Sequence, residues 1–307
     1  MQDKELWAKL ICGATLVLVL GSAATIVSAQ GTGGPGGGAP QPLAVHQLKQ
    51  NIYWVEGAGG NSAVIVGTNG VIVVDTKTTA AAGAELVADV AKITPKPITT
   101  VILTHSDGDH VNGLASFPNG IAIIAQENCK AEMQAAASTP AGAALAGHMP
   151  TRIVTKNMDD LTIEGVHLRL FHFVPAHTSG DLMVYLPDDK IMFTGDIVAA
   201  QSPYPLIHLE KNGSSEGWAT TINGILETDA VTFVPGHGGV QARTDLQKRL
   251  ADETSRRNQI KALVAQGKSL DDVRQALGET APAARPGATG PNFTDFTGVV
   301  YAELTKK

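Results

Sequence analysis

The chain has 307 residues, 43% of them hydrophobic and 17% charged, with a formal net charge of −6. No cluster of lysine or arginine breaks that acidic balance, which excludes nucleic acid and anionic lipid surfaces as the main partner. The two cysteines are Cys12 and Cys129. Loss of the amino-terminal segment would leave only Cys129, which excludes an intramolecular disulfide framework in the mature chain.

Residues 1–29 join a polar start, Met1 to Lys9, to a mostly apolar run from Leu10 to Val27 and the residues Val27-Ser28-Ala29 ahead of Gln30. They read as a signal peptide that exports the chain to the periplasm or the medium. The start is poorly basic, because Lys4 and Lys9 are offset by Asp3 and Glu5, and the apolar run approaches bilayer length. An uncleaved membrane anchor facing the periplasm is therefore the second reading, and the only membrane contact expected. Residues 30–42, rich in Gly and Pro, read as a flexible tether. Residues 43–307 are long enough for one domain with a full core.

Within that domain, residues 51–55, 61–66 and 71–75 are β-rich runs separated by glycine turns, which predicts antiparallel strands. Residues 79–93 carry Leu86, Val87 and Val90 at helical spacing and end before Pro95 and Pro97. A strand at 101–104 follows, then a short helix at 111–117, a strand at 121–125 and a helix at 128–137. Residues 138–150 read as a mobile surface segment. Strands at 166–174, 182–186, 191–193 and 231–234 and helices at 218–226, 245–266 and 293–304 repeat the theme. Ser269-Leu270-Asp271-Asp272 has the form of a helix cap. Two rounds of strands followed by helices predict an α/β fold, a four-layer αββα sandwich.

Four segments that follow apolar, β-branched runs carry the chemistry: Thr104-His105-Ser106-Asp107-Gly108-Asp109-His110, Pro175-Ala176-His177-Thr178, Thr194-Gly195-Asp196 and Pro235-Gly236-His237-Gly238. Imidazole nitrogens and carboxylate oxygens are the donors of zinc and related cations, and catalytic sites keep one position open for water. In loop, chain order and flanking residues the set resembles the metallo-β-lactamase superfamily, over roughly residues 52–237. The family's hallmark is a His-x-His-x-Asp-His loop followed by a lone His, a bridging Asp and a last His. The resemblance implies two divalent metal ions, zinc in the first instance. One would be bound by His105, Asp107 and His177, the other by Asp109, His110 and His237, with Asp196 bridging. It further implies a metal-bound hydroxide as nucleophile, oriented by Asp109 as the catalytic residue.

Asp107 departs from the family, which has His there. A third carboxylate lowers the net charge of the site by one and shifts its preference toward harder metals such as manganese or iron, or leaves a single metal. Asp196 separates the chain from lactamases that use a metal-bound Cys, since Cys129 lies near no motif. The implied function is an exported hydrolase that cleaves an ester, lactone, amide or sulfate-type bond of a small molecule. β-Lactamase activity is the alternative within the class. The alternative of another class is a metal- or ligand-binding protein that Asp107 has cost its catalysis.

Single residues outside the set carry weaker signals. Asp181 reads as a turn former or as an acceptor for the His177 ring, and Asp75 as an acceptor of the same kind or a strand cap. His46, His167 and His208 read as structural, although His208 follows Tyr204-Pro205-Leu206 in a loop after Asp196. His208 and Tyr204 are thereby pocket candidates. Metal identity, substrate and oligomeric state are not encoded in these motifs.

Overall fold

The computed structural model describes residues 42–140, 142–282 and 295–306. The expected signal or anchor and nearly all of the tether lie outside them. A seven-stranded sheet takes its strands in chain order. They are β1 (Ala44–Lys49), β2 (Ile52–Glu56), β3 (Ser62–Val66), β4 (Val71–Val74), β5 (Ile98–Ile102), β6 (Ala122–Gln126) and β7 (Arg152–Val154). Strands β1 to β4 are antiparallel and β4 to β7 parallel. A six-stranded sheet joins β8 (Met158–Ile163), β9 (Val166–Phe171), β10 (Met183–Leu186), β11 (Ile191–Ala199), β12 (Thr232–His237) and β13 (Gln241–Ala242) in spatial sequence.

The period of two along each strand explains the layering. Ile52, Trp54, Ile65, Ile72, Ile102 and Ile124 meet Leu168, Leu170, Val184, Phe193 and Val234 in a core between the two sheets. Their neighbours Val64, Val73, Val101 and Ile123 face outward onto α1 (Ala80–Ile93) and α3 (Glu127–Ala137). On the other side Tyr185, Met192 and Phe233 pack under α4 (Ser215–Glu227) and α5 (Arg243–Ala265). Burial on both faces is why these strands read as continuous apolar runs. A satellite cluster of Ile260, Val273, Phe296 and Val300 joins α5 to α6 (Leu270–Ala276) and α7 (Phe296–Thr305). The order helices, sheet, sheet, helices is the expected αββα sandwich.

Three of the differences from the expectations change how a predicted segment is read. The turn after β5 is α2 (Gly108–Val111) followed by a 3-10 turn, Asn112–Ser116, so the helix begins inside the acidic loop. The segment 138–150 is anchored, because Leu145 is buried in the core under α3. β11 continues to Ala199, which puts Asp196 inside a strand. There Gly195 at φ +52° and a register shift against β12 re-aim the side chain.

Candidate metal centre

Four chain segments meet at one edge of the two sheets. His105, Asp107, Asp109 and His110 come from the loop and short helix after β5, His177 from the turn between β9 and β10, Asp196 from β11 and His237 from the end of β12. The parallel pairing of β11 and β12, with Gly195 opposite Pro235, brings Asp196 and His237 together across a stretch of chain. Close backbone approach makes the convergence feasible. A Cβ on Gly60 would lie 2.2 Å from the His110 ring, and one on Gly236 would lie 1.9 Å from Asp196 Oδ1. The Gly60 turn is held from behind by Lys77, fully buried, which donates to the carbonyls of Val55 at 2.6 Å and Gly60 at 2.8 Å. Burial pulls its pKa down to about 7.

Among the described residues, three groups have donor atoms within 4.8 Å of one another. Two are the expected triads, His105, Asp107 and His177, and Asp109, His110 and His237, and the third is made by Asp75 with His105 and His110. Asp107 Oδ2 lies 3.3 Å from His177 Nε2 and 3.7 Å from His105 Nε2. Asp109 Oδ2 lies 3.1 Å from His237 Nε2 and 3.8 Å from His110 Nε2. Asp196 stands between them, its Oδ1 3.3 Å from His110 Nε2 and its Oδ2 3.4 Å from His237 Nε2 and 3.9 Å from His177 Nε2. All seven residues of the sequence motif are thus brought together.

The far nitrogens of three rings are tied down, which leaves Nε2 aimed inward. His110 Nδ1 donates to Asp75 Oδ2 at 2.8 Å, and His177 Nδ1 donates to the Leu206 carbonyl at 2.8 Å. His105 Nδ1 sits 2.9 Å from Thr104 Oγ1, which itself donates to Asp75 Oδ2 at 2.7 Å. Asp75 is therefore the acceptor behind one ring of each triad. Asp181 instead caps its own turn, accepting from the backbone N–H and hydroxyl of Thr178, and the acceptor for His177 is a backbone carbonyl. Tyr204 stacks on Phe296 and accepts from Arg256 Nε, contacts on the α5–α7 side. His208 does reach the cluster, its Nε2 2.9 Å from Asp107 Oδ2.

The charges show what the site is built for. Burial opposes the charged form of His177 and of His237. Asp107 outweighs it for the first ring, and Asp109 with Asp196 for the second, which lifts both pKa values to about 9. Burial likewise opposes charge on His110, yet Asp196 and Asp75 raise its pKa well above the ordinary value. Burial also resists ionisation of Asp107 and Asp196, and their imidazole neighbours nevertheless hold both carboxyls well below the usual range. These buried carboxylates call for positive charge beside them, which divalent cations held by the imidazoles would supply. His105 Nε2 and Asp196 Oδ1, both buried, make no hydrogen bond among the described residues. An orphaned imidazole nitrogen and an orphaned carboxylate oxygen in one buried cluster fit a metal site.

One charged contact carried no signal in the sequence. Lys211 Nζ sits 2.5 Å from Asp107 Oδ1 and donates to Ser106 Oγ at 2.9 Å. A lysine in an irregular loop looks like any solvated surface charge, and the loop's path is set by tertiary packing. The carbonyl of Leu206 is invisible for the simpler reason that any residue carries one.

Comparison with known proteins agrees with this geometry. An O-demethylase, "2,4-dinitroanisole O-demethylase subunit alpha" of Nocardioides sp. (strain JS1661), is 25% identical over 64% of this chain and 57% of its own length. "Metallo-beta-lactamase type 2" of Bacillus cereus is 26% identical over 66% of this chain and 78% of its own. Among solved structures, a stereoselective inverting sec-alkylsulfatase from Pseudomonas sp. superposes with a TM-score of 0.64 at 20% identity, over 78% of this chain and 46% of the sulfatase. A metallo-beta-lactamase from Pontibacter korlensis superposes with a TM-score of 0.59 at 18% identity, over 69% of this chain and 99% of the lactamase. The chain thus spans only about half the length of the demethylase subunit and of the sulfatase. Residues 55–237, more than half of the chain, match the model of the family described as "Metallo-beta-lactamase superfamily", and the chain belongs to that superfamily.

Proposed function

We propose that this chain is an exported metal-dependent hydrolase of small molecules, acting on an ester, lactone, amide or sulfate-type bond. The observation that carries the reading is the convergence of two His/Asp triads on the shared carboxylate of Asp196. His105, Asp107 and His177 would hold one divalent cation and Asp109, His110 and His237 the other, with Asp196 common to both. Bound there, the cations supply Lewis-acid activation of water and of the oxygen of the scissile group. Relatives named for alkylsulfatase, lactamase and acyl-carrier-protein thioesterase activity support that range of bonds, at 21–26% identity.

The chain's own residues define a direction of approach. Asp109 and His237 are the exposed members of the set, at 34% and 24%, while Asp107 is at 12%, Asp196 at 5% and His105 and His177 at 1%. Substrate and water therefore reach the site from the Asp109 side. Asp109 Oδ2, held 3.1 Å from His237 Nε2, is the carboxylate oxygen placed to orient water and to take its proton. The test is hydrolysis of a panel of chromogenic esters, lactones, aryl sulfates and a cephalosporin by protein purified without chelator. Turnover of at least one class, abolished by chelation and restored by zinc, manganese or iron, is expected. Turnover of none by the metal-loaded protein would overturn the reading.

A further inference from the structure

Asp107 Oδ2 is surrounded by three imidazoles. His105 Nε2 is 3.7 Å away, His177 Nε2 3.3 Å and His208 Nε2 2.9 Å. Donors around one zinc with bonds of roughly 2.1 Å stand roughly 3–4 Å apart, and the three distances from Asp107 Oδ2 fall close to that range. His208 is buried to 1% exposure, and its ring meets the His177 ring edge to face with centroids 4.8 Å apart. Its Nδ1 is engaged by the carboxylate of Glu210, the arrangement that fixes a metal-binding imidazole with Nε2 presented.

The loop that carries His208 is fastened to the triad. The backbone N–H of His208 donates to the His177 carbonyl at 2.9 Å, and two residues earlier the Leu206 carbonyl accepts from the His177 ring at 2.8 Å. The N–H groups of Lys211 and Gly213 close onto the His208 carbonyl at 3.0 and 2.8 Å. Lys211 takes Oδ1 of Asp107 and leaves Oδ2 to the three rings.

We infer that His208 is a further protein ligand of the first metal, so that beside the shared Asp196 this subsite carries His105, His177, His208 and Asp107. The inference rests on the metal-site reading above. It accounts for the Asp at position 107, because the imidazole lost from the loop after β5 is supplied by His208 from the loop after β11. The lysine offsets the added negative charge. Three imidazoles favour zinc, cobalt or iron over manganese, against the shift expected from Asp107 alone. The added donor also crowds this subsite, which leaves the exposed Asp109 side, with fewer protein donors, as the more open one.

The test is cadmium NMR of the full chain carrying isotopically labelled imidazole nitrogens, where each cadmium resonance is split by the nitrogens bound to it. A resonance coupled to three imidazoles in the wild-type protein is expected, and it disappears in His208→Gln. Competition with a chelator should show one metal of that variant bound at least about ten-fold more weakly. Resonances coupled to no more than two imidazoles would overturn the inference and leave the hydrolase reading standing. A protein that takes up no cadmium, zinc or cobalt would overturn both. The wild-type count decides the question even where the variant folds poorly.

Discussion

Asp75 Oδ2 accepts from His110 Nδ1 at 2.8 Å and, through the hydroxyl of Thr104, sits behind the His105 ring. One buried carboxylate, at 1% exposure and in the left-handed backbone region at φ +57°, therefore orients a ring in each triad. Asn tolerates that backbone and keeps the size of the side chain, so Asp75→Asn removes charge and acceptor strength with little strain. Metal affinity should fall about 10–100-fold at both subsites, read by competition with a chromogenic chelator. A loss confined to one subsite would contradict the shared role.

Gly60 is fixed by the ring it faces. In Gly60→Ala the new Cβ would lie 2.2 Å from His110, so either the ring or the turn held by Lys77 must move. A destabilisation of about 1–3 kcal/mol is expected, read as a lower melting temperature. The metal of the Asp109 triad should weaken with it.

Asp107→His tests whether this carboxylate is native chemistry. Its Oδ1 holds Lys211 and its Oδ2 faces three imidazoles, so histidine there strands the lysine ammonium beside a cation. Hydrolysis and affinity for the first metal should both fall, measured on the best substrate of the panel. A gain of orders of magnitude would instead identify a degraded site and favour the binding-protein alternative.

Glu253, on α5, lies away from the site, buried to 1% exposure with Oε1 lacking a hydrogen-bond partner among the described residues. Burial raises its pKa from 4.5 to about 7, with Arg257 pulling the other way. The folded protein then keeps this proton up to about pH 7, while the unfolded chain releases it near 4.5. Stability should be lost as pH rises through that window, by up to about 3 kcal/mol. Glu253→Gln should flatten the dependence in denaturant titrations from pH 4 to pH 8. An unchanged slope would contradict the assignment.

The ligand set was legible because every member follows an apolar run and shares its segment with glycine or proline, which mark strand ends and tight turns. Strands β2 to β4 followed from β-rich runs between glycine turns, and helix α1 from helical spacing ended by Pro95 and Pro97. β1 and β8 were not predicted, because at the exposed edges their residues, Asp159 and Asp160 among them, read as polar loop. The functional partners were hidden for a different reason. Lys211 and the Leu206 carbonyl act through the path of an irregular loop, and His208 showed only as a pocket candidate until that path was known.

Metal stoichiometry tests the central claim most directly. Protein purified from residue 30 onward without chelator, measured by elemental mass spectrometry against chain concentration, should carry two equivalents of divalent metal. The double variant His110→Ala, His237→Ala should retain one. A wild-type protein that holds none, even after incubation with zinc, manganese or iron, would contradict the account.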